Sequence, residues 1–166
     1  MSGIAVYPGT FDPFTNGHLD IVKRGTKVFD KVVIAILNNR NKTPLFSVEE
    51  RKEMIRESLA GYANVEIDSF DGLVVDYALK KKARAILRGM RAISDFESEF
   101  QLAMYNRRLN RDIETVFLMT GLRWLFISSS GIKELASFGG DISNMVPQSV
   151  EKRLVDKYPA LKEKKQ

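Results

Sequence analysis

Residues 4–18, Ile-Ala-Val-Tyr-Pro-Gly-Thr-Phe-Asp-Pro-Phe-Thr-Asn-Gly-His, constrain what this chain can fold into more than any other stretch. Ile4, Ala5 and Val6 read as a short buried strand, cut off by the turn signal Pro8-Gly9. Thr10 to Pro13 makes a tight connection. Thr15 or Asn16 then caps a helix whose first turn holds Gly17 and His18 and which runs to about Phe29. Such a strand-loop-helix unit offers unpaired backbone N–H groups and the positive end of a helix dipole, which suits a phosphate. Gly9 and Gly17 would let an anion approach the backbone, and His18, the only histidine in the chain, falls where that anion would lie. A histidine beside a glycine is by itself an ordinary first-turn residue. Thr10, the two glycines and the strand-loop-helix context are what give it weight. Neither a Walker A pattern nor a Gly-x-Gly-x-x-Gly fingerprint is present, so the phosphate grip is of another kind.

The rest of the chain repeats the alternation. Lys31–Leu37 is a second strand whose continuous apolarity predicts burial on both faces of a parallel sheet. Ser47-Val48-Glu49-Glu50 is a capping box opening a helix to about Leu59, ended by Gly61. Val65–Ile67 is a third strand, Asp71-Gly72 a turn, Leu73–Lys82 a helix, and Ala85–Leu87 a fourth strand ending at Arg88-Gly89. Ser94-Asp95-Phe96-Glu97 reads as a second capping box, with Phe96, Phe100, Ala103 and Met104 at helical spacing behind it. Glu114–Met119 is the fifth strand. Ser128–Ser130 cap a helix over 131–138, Gly139-Gly140 break it, and Pro147 occupies the first position of a last helix, about 147–158. Fivefold strand-helix alternation predicts an α/β fold: a single doubly wound, Rossmann-like domain over 1–166, with a five-stranded parallel sheet and helices on both faces.

Composition narrows the function classes. Without cysteine, disulfides and thiolate metal sites are excluded, which is compatible with the cytoplasm. No signal-peptide pattern or membrane-length apolar run is seen. A net charge of +5 could serve nucleic acid or small anions. The cations are scattered, with no basic stripe carrying interleaved aromatics, which argues against a nucleic-acid module. Lys80-Lys81-Lys82 and Lys162–Lys165 read as solvated helix ends.

In a doubly wound sheet, ligands bind beyond the carboxyl ends of the strands, where strand order switches. The stretches following strands there are Thr10–His18, the loop with Lys42, Arg88-Gly89-Met90-Arg91, and Trp124–Ser130 with Lys133. They supply hydroxyls, cations and glycine with almost no carboxylate, the inventory for holding several phosphates.

Tyr7–Pro13 followed by Thr15-Asn16-Gly17-His18 resembles the nucleotidyltransferases with a His-x-x-His or Thr-x-x-His signature. Arg88–Arg91, Asp95-Phe96-Glu97, Gln101-Leu102-Ala103, Asn106-Arg107, Ile127–Ser130 with Lys133-Glu134, Gly140-Asp141 and Val146-Pro147 make it similar to the bacterial phosphopantetheine adenylyltransferase family, to about Arg153. The resemblance implies adenylyl transfer from ATP to 4'-phosphopantetheine, Mg²⁺ as cofactor, and a homohexamer built as a dimer of trimers. It assigns Thr10, Lys42, Val74 and Arg88 to the phosphopantetheine side. To the ATP side it assigns Thr10, Phe11, His18, Gly89, Met90, Arg91, Glu99, Trp124, Leu125, Phe126, Ile127, Ser128, Ser129 and Ser130. Departures from the family pattern fall at Gly121-Leu122-Arg123, at Thr120 where a proline is common, and at Gly131, a glycine expected to loosen the helix start behind the serines. A nicotinamide mononucleotide adenylyltransferase or a cytidylyltransferase is the alternative within the superfamily. Arg88–Arg91 and Lys42 argue against it.

The implied reaction needs no general base, because the attacking phosphate oxygen is already anionic. Catalysis becomes positioning and charge stabilisation. His18 is expected to donate to the α-phosphate, Lys42 and Arg91 to stabilise transition-state charge, Ser129 with its helix start to hold the β- and γ-phosphates, and Thr10 to orient the nucleophile. The loops hold no cluster of carboxylates, so Mg²⁺ is expected to be carried by the ATP phosphates, with no protein ligands.

Overall fold

The computed structural model describes residues 3–38 and 43–163, without the side chains of residues 93, 94 and 163. In chain order the elements are β1 (Ile4–Gly9), α1 (Asn16–Val28), β2 (Lys31–Leu37), α2 (Val48–Ser58), β3 (Val65–Phe70), α3 (Val74–Lys80), β4 (Ala85–Met90), α4 (Ile93–Leu109), β5 (Glu114–Met119), a short 3₁₀ turn (Leu122–Trp124), α5 (Ser129–Ser137), α6 (Gln148–Lys157) and α7 (Ala160–Glu163). All the strand pairs are parallel, in the order β3-β2-β1-β4-β5. This is the expected doubly wound α/β sheet, with its switch of direction between β1 and β4.

Two cores sandwich the sheet. Ala5, Tyr7, Val32, Ile34, Ile36 and Leu87 face α1, α2, α5 and α6, whereas Val6, Val33, Ala35 and Ile86 face α3. Alternate residues of one strand thus enter opposite cores, and β2, buried on both sides, is accordingly apolar on both. No helix among the described residues is long and apolar enough to cross a membrane.

The proline at position 8 was expected to stop β1, yet the strand continues to Gly9. Its pairing with β2 runs unbroken from Ile4↔Lys31 to Gly9↔Ile36, but its pairing with β4 ends after Ala5↔Ala85 and Val6↔Ile86. Arg84 N–H donates to the Ile4 carbonyl and the Arg88 guanidinium to the Pro8 carbonyl, so the even-numbered residues of β1 face β4. The missing N–H of Pro8 therefore falls on the β4 side, where the ladder has already parted. That parting is the floor of the cleft described below.

Other boundaries differ for identifiable reasons. β4 runs on through Arg88-Gly89-Met90, because β5 pairs with all three of these residues. α4 starts at Ile93 with Ala92 as N-cap and no side-chain cap, so Ser94 lies inside the helix rather than capping it; the Asp95 carboxylate instead turns back to the Arg91 N–H at 3.3 Å. α3 spans Val74–Lys80, shorter than expected, and β3 extends to Phe70. Pro147 is the N-cap of α6, one position earlier than expected. Lys81 is no solvated helix end: its Nζ lies 2.6 Å from both Glu66 and Asp68 on β3. The apolar positions of α4 do not enter either core: Phe96, Phe100 and Met104 are about half exposed.

Candidate active site

A cleft of about 530 Å³ opens where β1 and β4 part, within the size range of ligand sites. Its wall brings together Thr10, Phe11, His18, Arg88, Gly89, Arg91, Glu99, Ile127, Ser128, Ser129 and Ser130, all of them expected from sequence. Val74 is not among the lining residues and packs with the α3-side core. Met90, Trp124, Leu125 and Phe126 are also off the wall. Trp124 and Phe126 line a second cavity of about 380 Å³ that shares Ile127 and Ser128 with the first. The Arg123 guanidinium covers the Trp124 ring at 5.3 Å. Lys42 lies outside the described residues.

Two helix N-termini, those of α1 and α5, meet in the cleft, and neither helix carries an acidic residue in its first turn. Their dipoles are thus left uncompensated by their own side chains and face whatever occupies the cleft. α5 starts regularly despite Gly131, since Ser128 Oγ accepts from the Gly131 N–H at 3.1 Å. Ser129 Oγ donates to the Pro13 carbonyl at 2.8 Å, which leaves its backbone and the helix start, rather than its hydroxyl, as its means of holding an anion. Thr120 suits its place, because its N–H donates to the Met90 carbonyl at 2.9 Å, which a proline could not do. Gly121 N–H is held by Asp20 of α1 at 3.0 Å.

His18 is the third residue of α1 and half of a capping box. Thr15 N–H donates to its Nδ1 at 3.0 Å, while Thr15 Oγ1 accepts from His18 N–H at 3.2 Å. With Nδ1 accepting, a neutral ring carries its proton on Nε2. The ring stands among Tyr7, Phe11 and Phe14, at centroid distances of 6.5, 5.1 and 5.6 Å. Burial, with the positive charges of Arg91 and Arg88 adding to it, pulls its pKa from the ordinary 6.5 down to about 4. At neutral pH the side chain is therefore a neutral hydrogen-bond donor, not a proton shuttle. A proton NMR titration of this single histidine is expected to show a midpoint near 4 and the Nε2–H tautomer at pH 7; a midpoint at 6.5 would contradict the buried cage. The unfolded chain takes up this proton at the higher pKa. The stability tied to the neutral ring is therefore complete above about pH 6.5 and is lost as pH falls towards 4.

Every carboxylate at the cleft is engaged by a cation. Glu99 receives a two-pronged grip from Arg88, Nε at 2.7 Å and Nη2 at 2.5 Å. Asp95 holds Arg91, whose Nη1 also donates to the Ile127 carbonyl at 3.1 Å. Asp12, 4% exposed, accepts from Lys133 Nζ at 2.7 Å and from the Leu45 and Phe46 N–H groups at 3.0 Å each. The arginines are thus pre-aimed, and Glu99 serves Arg88 in this arrangement. Gly9 acts differently from expectation. A Cβ on Gly9 would come within 2.8 Å of the Phe11 ring, so the space above Gly9 is taken by Phe11 rather than left for an anion. Gly17 has only ordinary neighbours, Thr15 Oγ1 at 3.5 Å and Trp124 Cβ at 3.6 Å from such an atom.

Sequence reasoning missed two groups that shape this site. Asp12 was read only as part of a tight connection. Its signal was its solitude, a lone acid in a loop otherwise built for anions. Arg51 was not singled out. Its signal was its spacing, in line with Val48, Met54 and Ile55 on the inward face.

Comparison with known proteins bears on what such a cleft does. The cytidylyltransferase-like family model matches residues 6–135. A phosphopantetheine adenylyltransferase of Desulfosudis oleivorans is 64% identical over 93% of this chain and 92% of its own. One of Syntrophus aciditrophicus is 55% identical over 97% of this chain and 98% of its own. Among solved structures, a bifunctional NMN adenylyltransferase/ADP ribose pyrophosphatase from Francisella tularensis superposes with a TM-score of 0.72 at 21% identity, over 94% of this chain and 49% of that one; the likeness is one of fold.

Proposed function

The chain belongs to the phosphopantetheine adenylyltransferases within the cytidylyltransferase-like group, and from that premise we propose that its cleft transfers an adenylyl group from ATP to 4'-phosphopantetheine. The products are dephospho-coenzyme A and pyrophosphate, the penultimate step of coenzyme A biosynthesis. The observation that carries this reading is the convergence of two uncompensated helix N-termini on a neutral histidine donor flanked by Arg88 and Arg91.

The attacking oxygen is a phosphate anion, so the protein need only align it and absorb the charge that builds on the α-phosphate and the bridging oxygen. His18 donates from Nε2 to the α-phosphate. Arg91 faces the developing charge, a role that the sequence also assigns to Lys42. The N-terminus of α5, with the backbone of Ser129, receives the β- and γ-phosphates. Thr10 orients the nucleophile, and Arg88, gripped by Glu99, faces the acceptor phosphate. The donors at the cleft suit Mg²⁺ bound to the triphosphate rather than to the protein, since Asp12, Asp95 and Glu99 are each taken up by a cation. When bound, the ion supplies charge neutralisation across the phosphate oxygens.

Pyrophosphate release from ATP is expected with phosphopantetheine and not with nicotinamide mononucleotide. Equal turnover of both acceptors would sink this reading.

The assembly we propose is a homohexamer, a dimer of trimers. What supports it is the unpartnered apolar side of α4, where Phe96 and Phe100 stack at 5.7 Å while about half exposed and Tyr105 is 64% exposed. Light scattering at micromolar concentration is expected to give six times the chain mass; a monomer would overturn the assignment. The same reading places the enzyme in the cytoplasm, with which a chain lacking cysteine is compatible.

A further inference from the structure

The inward face of α2 buries a full positive charge. Arg51 is 1% exposed, beside Met54 and Ile55, which are fully buried. Its guanidinium donates from Nη1 to the Thr10 carbonyl at 2.7 Å and from Nε to the Ser47 carbonyl at 3.2 Å. Burial disfavours its charge and lowers its pKa, an effect that nearby Asp12 and Glu49 offset only in part. A charge buried only for packing is replaceable by an apolar residue of similar volume at little or no loss. An apolar residue could not grip two carbonyls.

The two carbonyls belong to the segments that matter for the acceptor. Thr10 follows β1 and lines the cleft. Ser47 caps α2 and ends the connection that carries Lys42. Asp12 ties the same two segments from the other side, through the N–H groups of Leu45 and Phe46. One buried cation and one buried anion therefore lock the turn at Thr10 to the end of the Lys42 connection.

We propose that Arg51 is a positioning residue for the acceptor half of the cleft: by holding the Thr10 carbonyl against α2 it sets the line along which the acceptor phosphate attacks. This rests on the adenylyl-transfer reading.

The test is a double-mutant cycle between Arg51→Met and Thr10→Ala, read in kcat/KM for phosphopantetheine, with ATP affinity measured separately by calorimetry. Arg51→Met is expected to lower kcat/KM for the acceptor at least about tenfold while ATP affinity changes less than about threefold, and the double variant should stay within about threefold of Thr10→Ala alone, since Arg51, through the Thr10 carbonyl, acts by placing the hydroxyl that Thr10→Ala removes. Defects that multiply, or ATP affinity that falls in step with kcat/KM, would overturn the proposal by revealing a general structural role. Arg51→Lys keeps the charge but not the planar fork that spans both carbonyls. It should share the defect, and full activity in that variant would also overturn the proposal. Melting curves accompany each variant, and Arg51→Lys carries the cycle if Arg51→Met does not fold. Wild-type turnover separates the two ideas. If the unaltered protein releases no pyrophosphate with phosphopantetheine, the functional reading fails. The cycle is then read in affinity for inorganic phosphate, where additivity removes the positioning role and non-additivity retains it.

Discussion

His18→Ala is expected to lower kcat by about 10²–10³, equivalent to roughly 3–4 kcal/mol of transition-state stabilisation, as the loss of one well-placed oxyanion donor does elsewhere. ATP affinity should change far less, because the β- and γ-phosphates meet α5 and the arginines rather than the imidazole. An interaction made only in the transition state has that kinetic signature. The structure also supplies the competing effect. His18 closes the capping box of α1 through its Nδ1, so alanine removes half of a helix cap as well. A lost cap costs about 1 kcal/mol and in a chain of this length lowers Tm by only about 2–4 °C. The two contributions separate when kinetics and melting are measured on one sample: a folded His18→Ala protein with kcat within threefold of wild type, about 0.6 kcal/mol, would reduce His18 to a cap.

The largest loss of stability should come from Asp12→Ala. The carboxylate is buried and serves three donors, the Leu45 and Phe46 N–H groups and the Lys133 ammonium. Removing it strands two amides and one cation that folding has partly withdrawn from water. Breaking a buried pair from one side costs about 3–5 kcal/mol, and on that scale Tm should fall on the order of 10 °C. Asp12→Asn should recover only part of this, because an amide retains an oxygen for one N–H but presents a second donor to Lys133. Calorimetry on the three proteins checks it. A Tm within 2 °C of wild type for Asp12→Ala would mean that the three donors find water at no cost and that the carboxylate organises nothing.

Much of the fold was legible in the sequence because it is written locally. β2 and β5 keep their expected bounds and end where their apolar runs do, and Ser47 caps α2 through the box its sequence spells. The misreadings share a cause, which is pairing across the chain. Arg88-Gly89-Met90 looks like a loop until β5 supplies its ladder. Ser94 looks like a cap until Asp95 is drawn to Arg91. Pro8 looks like a stop until β2 carries the strand past it. The candidate site was legible in its hydroxyls and cations, since those residue types declare their chemistry wherever they stand. What was not legible is the set of partners: that Glu99 grips Arg88, that Phe11 fills the space over Gly9, that Arg51 points inward. Charged residues on a helix read as solvent-facing by default, and only packing decides otherwise.

The placement of Pro8 has a consequence for the cleft. Two parallel strands lying side by side in a sheet tend to zip, each hydrogen bond bringing the next pair of residues within reach. β1 and β4 are such strands, and their ladder ends after Val6 and Ile86. The next tooth of that zipper on β1 would be the N–H of residue 8, and a proline has none. Its carbonyl, the remaining half of the tooth, is already taken by the Arg88 guanidinium at 3.3 Å. The hydrogen bond that would next close β1 against β4 is thus missing from the backbone itself, and the ladder ends where the cleft begins.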